Sequence, residues 1–319
     1  MNTQKQITHF KRYQGYDYSR GGSIFISFHI EPRFEIFGQI TPEGKMLLSE
    51  AGHILDETIQ IEQQKHPELM IRSYVIMPEH LHYRMTFPPG LPKPLCLIGR
   101  FVQEIKRWSR AKLERIGIFI NWQENYHDYI CLSRAINERV DEYIMLNPLK
   151  WALMHGANPP MKVIEPLQSP FLSPFEWWSA VGNVSLLNGQ HPLLAVSLSR
   201  RLSLSDTQSI VAGIVNDCRR GMIPMSTFIS PAEIHLFNCL CSENIPIICA
   251  VPDQLKTIYK PRTEQTALFA QNRLLLLSHL QDSSTRNDAW HTLNMDIANI
   301  AKLSNGQALY FSPEGIAYL

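Results

Sequence analysis

The sequence predicts two units of different fold class: a small α+β unit followed by an α/β unit with a Rossmann-like parallel sheet. Three observations carry this prediction. Strands and helices are interleaved in the first half of the chain. Prolines concentrate near the middle of the whole chain (GANPPMKVIEPLQSPFLSP, 156–174), and beyond them apolar runs alternate with helical stretches. The length of 319 residues fits two domains of roughly 150 residues. The predicted boundaries are 1–157, a Pro-rich linker at 158–180, and 181–319.

The elements of the first half follow from hydrophobic periodicity. Apolar or alternating runs predict strands at GSIFISFHI (22–30), IRSYVIM (71–77) and YRMTF (83–87). Helical spacing predicts helices over 49–64, with Ser49 as N-cap, over 99–117, and within 133–154.

In the second half, the runs LLAVSLS, MIPMSTFIS, PIICAV and RLLLLS are short and nearly continuously apolar. Helical stretches such as DTQSIVAGIVNDCRR and PAEIHLFNCLCSE lie between them. Buried parallel strands have this continuously apolar pattern because helices cover both faces of their sheet. The second half is therefore predicted to be α/β.

Composition excludes several classes. Hydrophobic residues are 45% and charged residues 18% of the chain, which is typical of a globular protein rather than a disordered one. The net charge of +1 favours no partner, and the six cysteines include no C-x-x-C pair, so reduced thiols are expected. No stretch approaches the ~18 apolar residues of a membrane span, and the polar start MNTQKQITHFKRYQ lacks a signal-peptide core. We expect no membrane partner and a cytoplasmic protein.

Two histidines in YVIMPEHLHYRMTF are the first candidate site. His80 and His82 flank Leu81 in an extended stretch, and residues two apart on a strand point to one face. Both imidazoles can then reach one metal ion. The alternative is a pair of histidines hydrogen-bonded on a solvated strand face.

The segment RVDEYIMLNPLKW supplies two further candidates. Tyr143 and Asn147 are four apart on a predicted helix and share one face. Asn147 can complete a metal site, and the Tyr143 phenol can attack phosphorus when a divalent cation polarises the phosphate oxygens. The alternative is a tyrosine packed on the sheet, with Asn147 capping the helix before Pro148.

Five motifs in order resemble the IS200-like single-tyrosine transposases, and especially the REP-associated tyrosine transposases of the HUH endonuclease superfamily. They are GYDYSRGGSIFISFHI, FGQITPEGKMLLSEAGHIL, YVIMPEHLH, NWQENYHDYICLS and DEYIMLNPLKWALM, and they span about residues 9–157. PEHLH stands where PNHVH-like versions are more frequent, with both histidines intact.

The resemblance implies a ferredoxin-like α+β HUH domain in which His80, His82 and Asn147 bind Mg²⁺ or Mn²⁺ and Tyr143 is the catalytic nucleophile. The implied reaction is DNA transposition, in which single-stranded DNA is nicked and transferred through a 5′-phosphotyrosine intermediate. Family members act on hairpin-bearing DNA and many are dimers, so hairpin or single-stranded DNA and a second copy of the chain are the expected partners.

The predicted helix over 99–117 is basic. Its cations would neutralise phosphates, and the candidate DNA contacts are Arg100, Lys106, Arg107, Arg110 and Lys112. The alternative is a solvated helix face, and Trp108 is expected in the core. Trp122, Gln123 and Tyr126 match a motif of the family and are interpreted as structural residues that pack against the catalytic helix.

The second half resembles, in a degenerate form, DNA-processing protein A and its Rossmann-like relatives. The motifs LLAVSLSRRLSLSD, IPMSTFISPAEIHLF, IPIICAVPDQLKTIYKP, RLLLLSHL and STRNDAWHTLNMDIANIA occur in that order over about 181–310. The resemblance places an accessory pocket for single-stranded DNA or nucleotide phosphates at Ser199, Arg200, Ser226, Ser230, Glu233, Arg286 and Asn287. Arg200 and Arg286 are equally interpreted as surface ion-pair residues.

No glycine-rich phosphate loop is present in the second half, because STFISPAE stands where one would be. A module that holds DNA or dimerises is therefore expected there rather than a nucleotide hydrolase. Two other hypotheses for the whole protein stay open: a non-catalytic or regulatory DNA-binding protein, and nucleotide sensing through the second half.

Overall fold

The computed structural model describes residues 15–155, 161–172, 177–279 and 286–318, and the side chains at 286, 287 and 318 lie outside that description. The chain divides into two compact units, Met1–Ala152 and Leu153–Leu319, and both contain helices and strands. None of the described helices is long and apolar enough to cross a bilayer.

The first unit is built on a four-stranded antiparallel sheet of order β4-β5-β1-β6 and a small β2-β3 hairpin. In chain order its elements are β1 (Gly22–His29), β2 (Gly38–Ile40), β3 (Met46–Leu48), α1 (Glu50–Lys65), β4 (Met70–Ile76), β5 (His80–Phe87), α2 (Pro94–Arg115), β6 (His127–Cys131) and α3 (Arg134–His155). The predicted strands and helices are confirmed with small shifts of their ends, and α3 extends past the division between the units. The Ser49 side chain accepts the Gly52 N–H as the predicted N-cap of α1.

The two faces of this sheet have different coverings. On one face, side chains such as Ile26 of β1 and Tyr83 of β5 form a buried core with α1 and α2. On the other face, Phe25 packs with Ile144 of α3. Since strand side chains alternate in direction, His80 and His82 lie on the face that α3 covers.

The second unit contains a seven-stranded sheet of order β13-β12-β8-β9-β10-β11-β7. Its elements are β7 (Trp178–Gly182), β8 (Leu193–Leu198), α4 (Leu204–Arg219), β9 (Ile223–Ser226), α5 (Pro231–Ser242), β10 (Ile247–Val251), α6 (Thr263–Ala270), β11 (Leu274–His279), α7 (Arg286–Leu303), β12 (Gln307–Ser312) and β13 (Gly315–Tyr318). The central strands from β12 to β11 are parallel, and the edge strands β7 and β13 pair antiparallel.

Helices cover both faces of this sheet. One buried cluster joins Leu194 and Leu276 to α4, α5 and α6, while a second joins Leu275 and Leu277 to α7. Adjacent residues on one strand therefore enter different cores, which explains why these strands are continuously apolar. The prediction of strands buried on both faces is confirmed, whereas the antiparallel edges are not predictable from that pattern.

The predicted linker at 158–180 requires a correction. In its described residues, Met161 and Trp178 are buried, Ile164 bridges Ala180, and β7 begins at Trp178 as an edge strand. Prolines do favour an extended chain here, but the apolar residues between them attach that chain to the second unit.

Candidate active site

Strand β5 presents His80 and His82 side by side. Their Nε2 atoms lie 3.0 Å apart and their ring centroids 4.5 Å apart. The intervening Leu81 is fully buried in the opposite core. The predicted arrangement of the two imidazoles on one face is therefore the observed one.

The surroundings of His82 hold its imidazole in the neutral form. Burial lowers the pKa of His82 well below its ordinary value, and the neighbouring His80 and His127 lower it further. The Nδ1 atom of His82 is buried without a hydrogen-bond partner among the described residues. A neutral imidazole keeps a lone pair, which a metal ligand requires.

Glu79 is a neighbour of this pair that the sequence analysis missed. Its carboxylate lies 3.0 Å from Nδ1 of His80, a charge contact outside hydrogen-bonding geometry. Burial alone would raise the pKa of Glu79, but His80, Arg33 and a backbone hydrogen bond together lower it below its ordinary value. Its place in the PEHLH motif is the feature that could have identified it.

Helix α3 brings Tyr143 to the histidines. The Tyr143 ring centroid lies 5.5 Å from that of His82 and 5.9 Å, edge-on, from that of Phe25. Asn147 follows one turn later on the same helix and is buried. The helix continues through Pro148 to His155, so the alternative in which Asn147 caps its end is wrong.

A partly buried ion pair between Arg84 and Asp141 fixes α3 against β5. Nε and Nη2 of Arg84 each donate to a different carboxylate oxygen of Asp141, both at 2.6 Å, and Ser73 also donates to this carboxylate. Burial would raise the pKa of Asp141, but the hydrogen bonds from Arg84 and Ser73 lower it below its ordinary value. Arg84 follows His82 by two residues and Asp141 precedes Tyr143 by two, so this pair sets the register of the two candidate groups.

The donor set at β5 fits a divalent transition-type cation. Two imidazoles whose Nε2 atoms face each other at 3.0 Å could share one ion, and Asn147, one turn from Tyr143 on α3, could offer an amide oxygen. Imidazole and amide oxygen together suit Mn²⁺ better than Mg²⁺, which prefers oxygen alone.

The basic residues of α2 divide into different roles. Arg100 and Arg107 are exposed, Lys112 is half-buried, and Arg110 pairs with Glu114 at 2.8 Å. Lys106 differs from them, because its ammonium donates to the backbone carbonyls of Gln123 and Asn125 at 2.8 and 2.9 Å, and its contact with DNA stays a prediction. Burial lowers the pKa of Lys106 to about 8. Lys106 therefore holds the loop of Gln123 and Asn125, and it lines a groove of about 530 Å³ together with Arg107 and Arg110.

The aromatic residues near α2 require two further corrections. Trp108, expected in the core, is 37% exposed and lies under the cations of Lys65 and Arg107. Trp122 does not pack against α3; it stacks on Phe37 and donates to Ser109 of α2 at 3.1 Å.

The two other residues of that motif also lie near β1 and α2. Gln123 exchanges hydrogen bonds with the backbone of His29 in β1, and Tyr126 lies beside Gly99 of α2. A structural role is thus retained for these residues, with β1 and α2 as the contacts.

In the second unit, several candidate pocket residues accept hydrogen bonds from backbone N–H groups. Glu233 accepts hydrogen bonds from the N–H groups of Leu198, Ile229 and Ser230. Ser230 accepts the Glu233 N–H in return and so completes a capping box.

The other pocket candidates fall into two groups. Ser199 and Ser226 each accept the N–H two residues ahead of them. Arg200 is exposed, and the side chains of Arg286 and Asn287 lie outside the described part of the structure. Backbone N–H groups therefore already use oxygens of Ser199, Ser226, Ser230 and Glu233, and the accessory pocket stays a prediction.

Comparisons with known proteins add limited information. No family model matches the chain. An uncharacterized protein of Haemophilus influenzae (strain ATCC 51907 / DSM 11121 / KW20 / Rd) is 27% identical over 161 residues, which cover 44% of this chain and 87% of that relative.

Two solved structures are similar to part of the chain. One is a REP-associated tyrosine transposase bound to a REP hairpin, with a TM-score of 0.35 and 22% identity over 46% of this chain and 74% of the other. The second is a candidate transposase from Deinococcus radiodurans R1, with a TM-score of 0.27 and 14% identity over 42% of this chain and 95% of the other. Scores this low do not establish a shared fold.

Proposed function

We propose that the first unit nicks and rejoins single-stranded DNA, with Tyr143 as the nucleophile. The observation that carries the proposal is the position of the Tyr143 ring 5.5 Å from His82, whose imidazole faces His80. The β-α-β-β-α-β succession of β1, α1, β4, β5, α2 and β6 is that of ferredoxin-like folds and agrees with the HUH motifs of the sequence.

The chemistry at Tyr143 is a transesterification. Its phenolic oxygen forms a bond to the DNA phosphorus, the bond from phosphorus to the 3′ oxygen breaks, and the phenolic proton passes through solvent to the leaving 3′-hydroxyl. The product is a 5′-phosphotyrosine link that retains the energy of the phosphodiester, so rejoining requires no external energy. A divalent cation, Mg²⁺ or Mn²⁺, held by His80, His82 and Asn147 would neutralise the phosphate charge when bound.

This chain's own residues then set the geometry of the attack. Phe25 contacts the tyrosine ring edge-on and excludes water from one side of it. The Arg84–Asp141 pair holds α3 in register with β5, so that the phenol and the imidazoles keep their relative positions. Such fixed positioning is a large part of the rate that a phosphoryl-transfer enzyme can gain.

Substrate strands would lie along the cations of α2. Arg100 and Arg107 are exposed, and the groove beside Arg107 is lined by polar groups. Hairpin-bearing single-stranded DNA is the substrate class that the motif resemblance implies. The second unit, whose parallel strands lie in the order β12-β8-β9-β10-β11, would hold the strand or pair two copies of the chain.

The proposal is tested by incubating the protein with Mn²⁺ or Mg²⁺ and end-labelled single-stranded oligonucleotides that include hairpins. We expect label that stays with the denatured protein, depends on the metal, and disappears in Tyr143→Phe and His80→Ala. Tyr129→Phe is the matched control, because Tyr129 is an exposed tyrosine of the same unit. An adduct that survives Tyr143→Phe contradicts the assignment, and DNA binding without any adduct favours a regulatory DNA-binding protein.

A further inference from the structure

A second group of metal-ligating side chains lies on the opposite helical layer of the first unit. Glu62 and His66 at the end of α1 meet Glu104 of α2, and one potential ligand atom of each lies within 4.8 Å of the other two. Because α1 and α2 pack on the face of the sheet opposite to α3, this group is distinct from the His80 and His82 site.

Local helix geometry explains the grouping. Glu62 and His66 are four residues apart and so share one face at the end of α1. The backbone N–H of His66 still donates to the carbonyl of Glu62 at 3.1 Å, which keeps that spacing at the helix end. Glu104 faces them from the middle of the neighbouring helix.

Glu62 is unusually buried for a carboxylate. Its side chain is 1% exposed, and Lys65 contacts only Oε1, at 2.7 Å. The Oε2 atom is buried and has no hydrogen-bond partner among the described residues. Burying a carboxylate oxygen without a hydrogen-bond partner costs free energy. A cation that binds there meets an oxygen that has already lost its water.

His66 has the orientation of a metal ligand. Its Nδ1 lies 3.3 Å from Glu68, its Nε2 lies 2.6 Å from Glu104, and its ring packs edge-on against Phe101. Ligating histidines commonly direct their second nitrogen to a carboxylate, which fixes the tautomer and the ring. A metal ion placed between Nε2 of His66 and the Glu104 carboxylate would replace their direct contact.

We infer that Glu62, His66 and Glu104 form a site for a divalent transition-metal ion of the Zn²⁺ type. One imidazole nitrogen and two carboxylate oxygens are a ligand set that zinc accepts, with water as the fourth ligand. The ion joins α1 to α2 and so stabilises the first unit. The inference is independent of the nicking reaction.

The test is equilibrium dialysis of the full chain against Zn²⁺, in a His80→Ala, His82→Ala background that removes the other imidazole pair. We expect one zinc per chain and a rise in Tm on adding zinc. Glu104→Gln keeps the shape of a side chain that is 30% exposed, and it should weaken zinc binding at least tenfold and abolish the rise in Tm. Glu57→Gln, on the exposed side of α1, should leave both unchanged.

Unaltered zinc binding in Glu104→Gln and in His66→Asn would overturn the site, as would the absence of zinc binding in the background chain. Circular dichroism of each variant without zinc checks that it is folded. Because the readout is bound zinc and not DNA cleavage, failure of this site leaves the proposed nicking activity untouched. The converse also holds, since loss of the DNA adduct says nothing about Glu62, His66 and Glu104.

Discussion

Two regions of the molecule carry polar residues near strand ends, and they differ in what those residues contact. At β5, His80 and His82 turn their Nε2 atoms toward each other, and Nδ1 of His82 has no hydrogen-bond partner in the described part of the chain. In the second unit, the side-chain oxygens of Ser226, at the end of β9, and of Glu233, in the first turn of α5, accept backbone N–H groups. Polar atoms are available for chemistry only where the local backbone has not already used them.

The cause of this difference is the next element in the chain. Glu233 stands in the first turn of α5, where free N–H groups require acceptors, and Ser-Pro-Ala-Glu is a capping-box sequence. His80 and His82 are inside a strand whose backbone groups are already paired in the sheet. Their side chains are therefore not needed as acceptors for backbone N–H groups.

The largest expected effect is at β5. His82→Ala should lower the rate of DNA adduct formation about 10³-fold, or ~4 kcal/mol in the barrier, because the imidazole pair is broken. The measurement is the rate at which labelled oligonucleotide becomes attached to protein. His53→Ala, which removes an exposed histidine of α1, should change that rate less than about twofold. A rate of adduct formation in His82→Ala within tenfold of that of the parent would contradict a role of the histidine pair in the reaction.

The second effect concerns stability in the other region. Glu233→Ala should lower the free energy of unfolding by about 3 kcal/mol, since it leaves buried N–H groups at the ends of β8 and α5 without an acceptor. Urea denaturation measures this change. Glu314→Ala breaks an exposed pair with Arg201 and should leave the free energy of unfolding nearly unchanged. Equal costs for the two variants would show that the Glu233 carboxylate is not a structural acceptor.

A third effect tests how α3 is held. Asp141→Asn should cost about 2 kcal/mol of stability and slow adduct formation, because Arg84 loses a two-point charge contact. Glu138→Gln on the same helix breaks the exposed pair with Arg134 and should leave both stability and the rate of adduct formation nearly unchanged.

The same pair gives a pH dependence with a definite sign. The pKa of Asp141 is lowered in the folded protein, so its contribution is present above the ordinary value of 3.8 and is lost as pH falls through the folded pKa. The stability difference between the parent and Asp141→Asn should therefore shrink below about pH 3.8. A difference that grows on acidification would contradict the ion pair.

The smallest effect separates two cations of α2. Arg107→Ala should reduce the salt dependence of single-stranded DNA binding by about 0.7 in the log–log slope, which is one phosphate contact. Lys106→Ala should leave the slope unchanged and instead destabilise the fold by about 1 kcal/mol, because its ammonium holds two backbone carbonyls. Fluorescence anisotropy at several salt concentrations, with a denaturation curve for each variant, distinguishes these outcomes.

Local patterns predicted much of the first unit. Alternation along β5 placed His80 and His82 on one face, helical spacing placed Asn147 one turn from Tyr143, and Ser49 marked the start of α1. These features depend on residues within a few positions of each other, where backbone geometry alone fixes the relation between side chains.

Long-range partners were not predictable in the same way. In the sequence, nothing distinguishes Lys106 from the other cations of α2. Its role depends on the backbone carbonyls of Gln123 and Asn125, which lie in a distant loop. Arg84 and Asp141 are 57 positions apart, so no local periodicity connects them. Prolines indicated the extended chain before β7 but not the burial of Met161 beside them.

The most direct test of the central claim is to digest the DNA adduct and identify the peptide that carries the nucleotide by mass spectrometry. The account predicts a phosphodiester on Tyr143 and on no other tyrosine, formed only with a divalent metal. A nucleotide on Tyr129, or an adduct of unchanged yield without metal, would contradict the assignment of the His80, His82 and Tyr143 face as the nicking site.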